Sequence, residues 1–404
     1  MRKGLTTLAA GAAALALVLT GCASDSGGST TAPTDSSEPY RVLVLGGLSA
    51  QGALATNAST SVLAAQAGAK DINAQGGILG RQVEVTVVDD QADPTVAVTK
   101  VQEALSSDTP PDVVLNSGPS TVAEATIPLI SQAGILSFNI GPTATSADPA
   151  QSPLNFDLSP GPNDYLKGFV AYLKEQGFKS VGILHGSSSY GELFGKLSEQ
   201  TLSDAGFEVT DNQEYDVASL DMTPQLSAIQ ATNPDALILD AYGAPLGYVL
   251  QGIDKLGWDV PIVGNNSVAA SPVAGKLPPD GVVGTAQAAN LMMEVFQSTK
   301  YDPDATGVND AVQTMLSIGP INASLILAYN YDAFPLIAAA AEKVGNADDA
   351  TALAKALEDT SVTKDANTVI LKQYGFTAES HSPNVGADEF LFIAPSELKN
   401  GQYQ

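Results

Sequence analysis

The α/β class of this chain follows from residues 40–90, YRVLVLGGLSAQGALATNASTSVLAAQAGAKDINAQGGILGRQVEVTVVDD. Arg41–Leu45 and Val83–Val88 are short apolar runs that predict two strands. Between them, residues 58–74 carry apolar side chains at helical spacing and end before a pair of glycines, which favour the left-handed conformation of a helix C-cap. A strand, a helix and a second strand in this order indicate a right-handed βαβ crossover in a parallel sheet.

The alternation of apolar runs and helix-period segments continues beyond residue 90 and starts again near residue 160. The first series continues with Pro94–Ser106, Asp112–Leu115, 121–133 and Ile135–Phe138. The second series consists of Pro160–Gly177, Ser180–Leu184, Tyr190–Ala205, Phe207–Val209, Thr223–Ala231, Ala236–Leu239, Leu246–Leu256 and Val260–Val263. The predicted strands are apolar throughout, as expected when helices cover both faces of a sheet. We therefore expect an α/β fold of two doubly wound parallel-sheet lobes, with a ligand pocket in the cleft between facing strand ends.

The first residues have the pattern of a bacterial lipoprotein signal peptide, which is removed from the mature protein. Arg2 and Lys3 give the positive start, and Leu5–Thr20 is the apolar segment. The segment ends in Leu-Thr-Gly-Cys22, which resembles a lipobox, and Cys22 is the one cysteine of the 404 residues. We predict a signal peptide at residues 1–21 and a lipid anchor on Cys22. The alternative is an ordinary secretory signal with an unrelated cysteine.

Composition limits the location and the class of partner. Residues 22–39 contain almost no large apolar side chains, so we predict a lipidated flexible tether that spans roughly 20–25 Å. No later apolar run reaches the roughly 18 residues of a membrane-spanning helix. The excess of 44 Asp and Glu residues over 18 Lys and Arg residues argues against a nucleic-acid partner. We expect an extracytoplasmic monomer that is anchored to the outer face of the bacterial cell membrane.

The side chains needed for catalysis or for metal binding are scarce in this sequence. The two histidines, His185 and His381, stand far apart, and no cysteine follows Cys22, so the ligand spacing of a zinc site is absent. The sequence also lacks a Gly-x-Ser-x-Gly elbow and a Gly-x-Gly-x-x-Gly fingerprint. We expect no enzyme activity, no cofactor and no metal. A surface-anchored hydrolase that uses His185 is the alternative from the enzyme class.

Neutral hydrogen-bonding residues follow several predicted strands. Ser117–Thr121 follows one strand and opens a helix, and Thr143–Thr145 follows the next strand. Hydroxyls, free backbone N–H groups and the positive end of a helix dipole suit a carboxylate. In the second half, tyrosines after two strands suit an aromatic wall over an apolar part of a ligand. The competing interpretation is that these residues only cap helices or belong to the core. The candidate ligand-binding residues are Ser117, Ser120, Thr121, Thr143, Thr145, Tyr190, Tyr242 and Asn266.

Three runs give the chain a family resemblance: Ala69–Gly80 (AKDINAQGGILG), Val88–Pro94 (VDDQADP) and Tyr190–Glu192 (YGE). From about Arg41 to the C-terminus the chain resembles the extracytoplasmic solute receptors of ABC importers of the Leu/Ile/Val-binding type, which have the type I periplasmic-binding fold. The resemblance implies that first-lobe hydroxyls and amides hold a ligand carboxylate and that two second-lobe tyrosines contact the ligand. It also implies closure of the lobes on a small-molecule solute, and ABC-importer membrane subunits as partners.

One position departs from the family pattern. Asn266 aligns with the glutamate that pairs with the ligand ammonium in the branched-chain amino-acid receptors, and asparagine supplies no counter-charge. We therefore expect a small polar solute, which is an amino acid, an amide or an organic acid. The alternative function with the same fold is a sensory receptor that signals to a membrane partner.

The resemblance also implies a three-segment hinge and sets the expected lobe boundaries. Lobe 1 is expected to contain residues 40–158 and 287–370, and lobe 2 residues 159–286 and 371–404. The crossings between lobes are expected near Asp157–Gly161, Gly284–Ala288 and Val369–Tyr374. Tyr331–Ala333 is expected to pack near the hinge rather than to contact the ligand.

Overall fold

The protein is described by a computed structural model that covers residues 38–404. The predicted signal peptide, the lipid anchor on Cys22 and nearly all of the predicted tether lie outside these described residues. Among the helices within residues 38–404, none combines the length and the apolar character needed to cross a membrane.

The first lobe is built on a sheet of five parallel strands in the order β2-β1-β3-β4-β5. The strands are β1 (Tyr40–Gly46), β2 (Val83–Asp89), β3 (Val113–Asn116), β4 (Leu136–Asn139) and β5 (Asn155–Asp157). The connecting helices are α1 (Ala53–Ala74), α2 (Pro94–Leu105) and α3 (Ser120–Gln132). The α2 helix begins where the sequence predicts it, because Pro94 suits the first helical position and the Asp93 carboxylate accepts the N–H groups of Thr95 and Val96.

The second lobe is built on a sheet of six strands in the order β11-β10-β9-β8-β6-β7, in which only β11 runs antiparallel to its neighbour. The strands are β6 (Ser180–Gly186), β7 (Glu208–Tyr215), β8 (Ala236–Leu239), β9 (Ile262–Gly264), β10 (Leu291–Phe296) and β11 (Phe390–Ile393). The helices are α4 (Pro162–Gln176), α5 (Ser189–Asp204), α6 (Thr223–Ala231), α7 (Pro245–Lys255) and α8 (Asn266–Ala269). The order of strands in both sheets agrees with the predicted pair of doubly wound parallel sheets.

The remaining elements lie after β10 and mostly complete the first lobe. They are the helices α9 (Thr306–Ile318), α10 (Ala333–Val344), α11 (Ala350–Leu357) and α12 (Thr360–Lys364), and the hairpin strands β12 (Leu398–Lys399) and β13 (Gln402–Tyr403). Both α9 and α10 pack against α1 of the first lobe. The chain therefore passes between the lobes after β5, after β10 and before β11.

Two of the expected crossings are corrected by the structure. The second crossing does not lie near Gly284–Ala288, because β10 pairs with β9 in the second sheet and residues 287–296 belong to that lobe. The third crossing does not lie near Val369–Tyr374, because His381 still stacks on Phe156 of β5 at a ring distance of 3.9 Å. The chain reaches the second lobe just after His381, where Ser382 donates to Asp164 of α4.

Strand composition differs from the expectation of uniformly apolar strands. The central strands β3 and β8 are buried at every position, but β2 and β7 lie at sheet edges and carry partly exposed polar side chains. An edge strand is covered by helices less completely, so polar residues at alternate positions remain solvated. The sequence pattern also missed β5, whose Asn-Phe-Asp segment is polar, and it started α1 at residue 58 rather than at Ala53.

Candidate functional site

Two first-lobe loops meet at the carboxyl edge of the first sheet. One follows β3 and leads into α3, and the other follows β4. They touch directly, because a Cβ atom placed on Gly141 would lie 2.8 Å from the backbone nitrogen of Ser120. The α3 helix has no side-chain cap at Pro119, so the first N–H groups of this helix have no intrahelical acceptor. The edge thus offers backbone donors and the positive end of a helix dipole.

Second-lobe residues close over this edge. The backbone N–H of Tyr190 donates to the Ser120 hydroxyl oxygen at 3.1 Å, which joins the first turn of α5 to the first turn of α3. The Ser189 hydroxyl donates to the carboxylate of Glu124, one turn further along α3. The Tyr190 hydroxyl donates to Asn266 Oδ1 at 2.8 Å, within the second lobe. The two lobes therefore meet in a closed arrangement around Ser120, Tyr190 and Asn266, which are all buried.

A further polar contact between the lobes involves Asn57, a residue that the sequence analysis did not select. Asn57 lies near the start of α1 and is only 1% exposed, and neither of its side-chain amide atoms has a hydrogen-bond partner among residues 38–404. Its polar neighbour is the hydroxyl of Tyr242, which follows β8 of the second lobe. Burial raises the pKa of Tyr242, and a weak side-chain hydrogen bond with the Asn57 amide opposes this rise, although the contact lies outside the geometry of a full hydrogen bond. The signal in the sequence was a polar residue at the start of a helix beside the cleft.

Several predicted site residues serve the first lobe itself. The Ser117 hydroxyl accepts from Asn330 Nδ2 at 2.6 Å, which ties the loop after β3 to the segment before α10. The Thr143 hydroxyl accepts the N–H groups of Ser146 and Thr145 at 3.0 and 3.3 Å, so Thr143 shapes its own turn. Thr121 is exposed on α3. The Thr145 side chain is partly exposed, and its backbone N–H is the group that donates to Thr143.

The carboxylate of Asp240 lies behind the second-lobe side chains. Asp240 is buried and accepts from Asn265 Nδ2 at 2.8 Å and from the backbone N–H of Gly186 at 3.4 Å. Asn265 in turn caps the short helix α8 by accepting from Ser267 N at 3.1 Å. Asp240 therefore positions the loop that carries Asn266 rather than standing free in the cleft.

Residues 39–387 match the model of a family described as "Periplasmic binding protein". The chain belongs to this periplasmic binding protein family. It is 25% identical over 300 residues, which are 73% of this chain and 77% of the relative, to the Leu/Ile/Val-binding protein BraC3 of Rhizobium johnstonii.

Solved structures of periplasmic binding proteins share the fold. An extracellular ligand-binding receptor from Rhodopseudomonas palustris HaA2 superposes with a TM-score of 0.74 at 18% identity, over 91% of this chain and 99% of that one. A solute-binding protein of an ABC transporter from Rhodopseudomonas palustris BisB5, in complex with 3,4-dihydroxy benzoic acid, gives a TM-score of 0.64 at 18% identity, over 79% and 84% of the two chains. The fold of this periplasmic binding protein is therefore the type I fold that the sequence predicted.

In this periplasmic binding protein, a buried network supports the loop after β4. The fully buried Asp157 accepts from Asn139 Nδ2 at 3.0 Å and from the Ser146 hydroxyl at 2.7 Å. Burial raises the pKa of Asp157 to about 7, although these donors oppose the rise. Because Asp157 ends β5 at the first crossing, the network links the loop of Thr143 to the hinge.

His185 does not reach the cleft of this periplasmic binding protein. Its ring is buried against Gly195 of α5, and its Nδ1 lies 3.2 Å from the Gly186 carbonyl oxygen. Within residues 38–404, no three His, Cys, Asp or Glu side chains are grouped as a metal site would require. The groups that converge between the lobes are hydroxyls, amides, backbone N–H groups and the carboxylate of Glu124, all of which can bind polar solutes by hydrogen bonds.

Proposed function

We propose that this protein is the extracytoplasmic substrate-binding component of an ABC importer. It binds one small polar solute, an amino acid, an amide or an organic acid, in the cleft between the lobes, and it performs no chemical reaction. The observation that carries the proposal is the convergence of Ser120, Asn57, Tyr190, Tyr242 and Asn266 from facing lobes of a periplasmic-binding fold.

Binding proceeds by hinge closure. The solute carboxylate lies at the uncapped start of α3, where the N–H groups of Ser120 and Thr121 and the hydroxyls of the loop after β4 supply donors. The second lobe contributes the Tyr190–Asn266 pair and the ring of Tyr242. A ligand that contacts both lobes stabilises the closed form by its larger affinity for that form. The relative BraC3, which is named as a Leu/Ile/Val-binding protein, supports amino acids as one class for the first screen.

The position in the cell is part of the proposal. We infer that Cys22 carries the lipid anchor, that residues 22–39 form the tether, and that the body acts as a monomer beside the membrane subunits of the importer. Metabolic labelling with a palmitate analogue tests the anchor, because the label is expected on the wild-type chain and not on a Cys22→Ala variant. Label that persists in the variant would contradict lipidation at Cys22.

The binding function is tested with a soluble version of the chain that starts at Glu38. We expect a thermal upshift with at least one member of a panel of amino acids, amides and organic acids, with equimolar binding in calorimetry and unchanged solute in mass spectrometry. The matched control is a Tyr190→Ala/Asn266→Ala double variant, which is expected to lose the shift. If no panel member stabilises the protein, the receptor function is contradicted. If a product forms and His185→Ala abolishes it, the hydrolase alternative replaces the proposal.

Transport is separated from sensing in a deletion strain. An importer component predicts loss of uptake of the bound solute, whereas a sensory receptor predicts normal uptake with a changed transcriptional response.

A further inference from the structure

The side-chain amide of Asn57 is a buried polar group at the boundary between the two lobes. The residue is 1% exposed, and both Nδ2 and Oδ1 lack hydrogen-bond partners among residues 38–404. Buried polar side chains in native proteins nearly always have partners, and an exception requires an explanation. The position of Asn57 supplies this explanation, because Asn57 belongs to the first lobe and the neighbouring Tyr242 belongs to the second.

Closure of the lobes therefore has a cost in free energy, which comes from desolvation of the Asn57 amide. When the lobes separate, Tyr242 moves away from α1 and water reaches the Asn57 amide. When the lobes close, that water is lost and only the weak contact with the Tyr242 hydroxyl replaces its hydrogen bonds, so most of the desolvation cost of the amide is left uncompensated. The amide of Asn57 thus opposes closure until a solute group satisfies it.

The chemistry of that group follows from the two orphaned atoms. The Oδ1 atom needs a donor and the Nδ2 atom needs an acceptor, and the two lie side by side on one planar group. A carboxylate offers only acceptors and would leave Oδ1 unpaired, whereas an ammonium offers only donors and would leave Nδ2 unpaired. A carboxamide presents a donor and an acceptor in the same plane and at the same spacing, so it pairs with both atoms.

The surrounding carboxylates do not favour a free ammonium. Asp240 and Glu294 are the acidic groups whose charges act on Tyr190, and both are engaged or hidden inside the second lobe. Asp240 accepts from Asn265 and Gly186. Glu294 is fully buried against α4, and neither of its carboxylate oxygens has a hydrogen-bond partner among residues 38–404. Burial raises the pKa of Glu294 well above its ordinary value, so this carboxyl favours the neutral form and supplies no counter-charge. A buried ammonium without a counter-charge is costly.

We propose that Asn57 recognises a carboxamide group of the solute, that the solute carries no free ammonium, and that this pairing is what permits the lobes to close. The inference rests on the solute-binding function proposed above and narrows its ligand class. Asn57 is then the residue that couples ligand identity to closure. With the carboxylate site at the start of α3, the best ligand is a small monocarboxylate with a terminal amide.

The probes are the monoamides of malonic, succinic, glutaric and adipic acid, with the parent diacids and with asparagine and glutamine for comparison. Calorimetry on the wild-type chain is expected to give at least tenfold tighter binding for one monoamide than for its diacid or for the amino acid of the same length. The Asn57→Ala variant is expected to lose that tenfold preference, and Asn57→Leu, which keeps the side-chain volume, is expected to lose it as well. Gln66→Ala is the matched control, because this amide lies on the same helix about 13 Å further along and the variant should bind as the wild type does.

A second measurement follows the ligand-free protein. Small-angle scattering is expected to give a smaller radius of gyration for Asn57→Leu than for the wild type, because the penalty on empty closure has been removed. The inference that Asn57 recognises a carboxamide is overturned if the diacids or amino acids bind more tightly than every monoamide. It is also overturned if both Asn57 variants keep the preference for the monoamide. If the broad screen finds a ligand while no monoamide binds, the amide inference fails and the receptor function stands. If neither panel binds, the receptor function and the inference fall together.

Discussion

Tyr190 contacts three parts of the site at once. Its backbone N–H donates to Ser120 of the first lobe, its hydroxyl donates to Asn266, and its ring stacks on Phe194 at 6.3 Å. The ring is thereby fixed inside the second lobe while the backbone meets the first. A residue held in this way transmits closure from α3 to the loop that carries Asn266.

Substitution Tyr190→Phe isolates the hydroxyl, because the ring and the backbone N–H remain. Asn266 Oδ1 then loses its donor in a buried position, and we expect the affinity for the best solute of the screen to fall about five- to thirtyfold, which corresponds to about 1–2 kcal/mol. Calorimetry measures the change. Tyr172→Phe is the control, since Tyr172 stacks on Phe392 away from the cleft. Equal affinity in wild type and Tyr190→Phe would exclude a role for the hydroxyl.

Asp157 makes stability depend on pH. Its pKa in the folded protein is about 7, above the ordinary value of 3.8, so the folded chain holds this proton more tightly than the unfolded chain does. The stabilising contribution is therefore fully present below about pH 4, declines as pH rises to about 7, and is constant above that. Over this pH range the contribution of Asp157 to the free energy of unfolding falls by at most about 4 kcal/mol.

Asparagine at position 157 mimics the protonated carboxyl, so Asp157→Asn is expected to flatten the fall in unfolding free energy between pH 4 and 7. Urea unfolding at several pH values measures the slope. The exposed Asp204→Asn variant serves as the control and should keep the wild-type slope. A variant at position 157 that is as pH-dependent as the wild type would contradict this assignment.

Single residues of the site were only partly accessible to sequence analysis. Ser120, Tyr190 and Asn266 were selected because they follow strands, and the fold brings them together. Asn57 was missed because the sequence pattern started the helix at residue 58, whereas α1 begins at Ala53 and buries Asn57 in its second turn. Thr143 was selected for its hydroxyl, but that hydroxyl accepts two N–H groups of its own turn. Such local pairing depends on loop conformation, which residue types alone do not determine.

At the scale of elements, Asp332 holds residues 369–371 in place beside the second crossing between the lobes. Its buried carboxylate, just before α10, accepts the N–H groups of Val369 at 2.7 Å and Leu371 at 2.9 Å, and of Ile370 between them. The Ile370 carbonyl accepts from the Ser298 hydroxyl at 2.6 Å, immediately after β10. One side chain therefore fixes three consecutive residues against the hinge, which agrees with the expectation that Tyr331–Ala333 packs near it.

Asp332→Ala is expected to destabilise the protein by about 3–5 kcal/mol, because several buried N–H groups lose their acceptor together. Chemical unfolding measures the loss, and Asp332→Asn, which keeps one acceptor oxygen, should cost less. Asp349→Asn is the matched control at the start of α11, where the carboxylate caps Ala352 at 3.0 Å, and we expect it to cost less than about 1 kcal/mol. Equal losses at positions 332 and 349 would exclude an anchoring role for Asp332.

The helices and strands were predicted well where the spacing of apolar residues was clearly that of a helix or a strand. They were predicted poorly where tertiary packing determined the structure. The alternation of strands and helices from Tyr40 to Gly264 predicted β1–β4 and β6–β9, since apolar runs of strand length leave few other choices, but it did not predict β5, β10 or β11. The crossings were displaced because β10 is an apolar run after a long irregular segment, and nothing in its composition assigns it to one sheet. The stacking of His381 on Phe156, which delays the third crossing, is a tertiary contact without a local signal.

At the scale of the whole molecule, closure depends on contacts that exist only when the lobes meet. The hydroxyl of Ser189 donates to Glu124, and the N–H of Tyr190 donates to Ser120, both between α5 and α3. These bonds vanish in an open form, so they add to the stability of the closed form alone. Ligand affinity rises with the fraction of molecules in the competent form, so weakening either bond lowers affinity without touching the ligand.

Glu124→Ala tests this coupling, because Glu124 is exposed on α3 and accepts a hydrogen bond from Ser189 of the second lobe. An exposed charge-assisted bond contributes modestly, so we expect the dissociation constant of the bound solute to rise about two- to fivefold, with an unchanged melting temperature of the ligand-free protein. Glu103→Ala is the control, since Glu103 pairs with Lys100 of its own helix at 2.9 Å and spans no lobe boundary. The same increase should appear in Ser189→Ala and should not add to that of Glu124→Ala in the double variant, because both changes remove one shared bond. Independent, additive losses would mean that the two side chains act separately and that this contact does not govern closure.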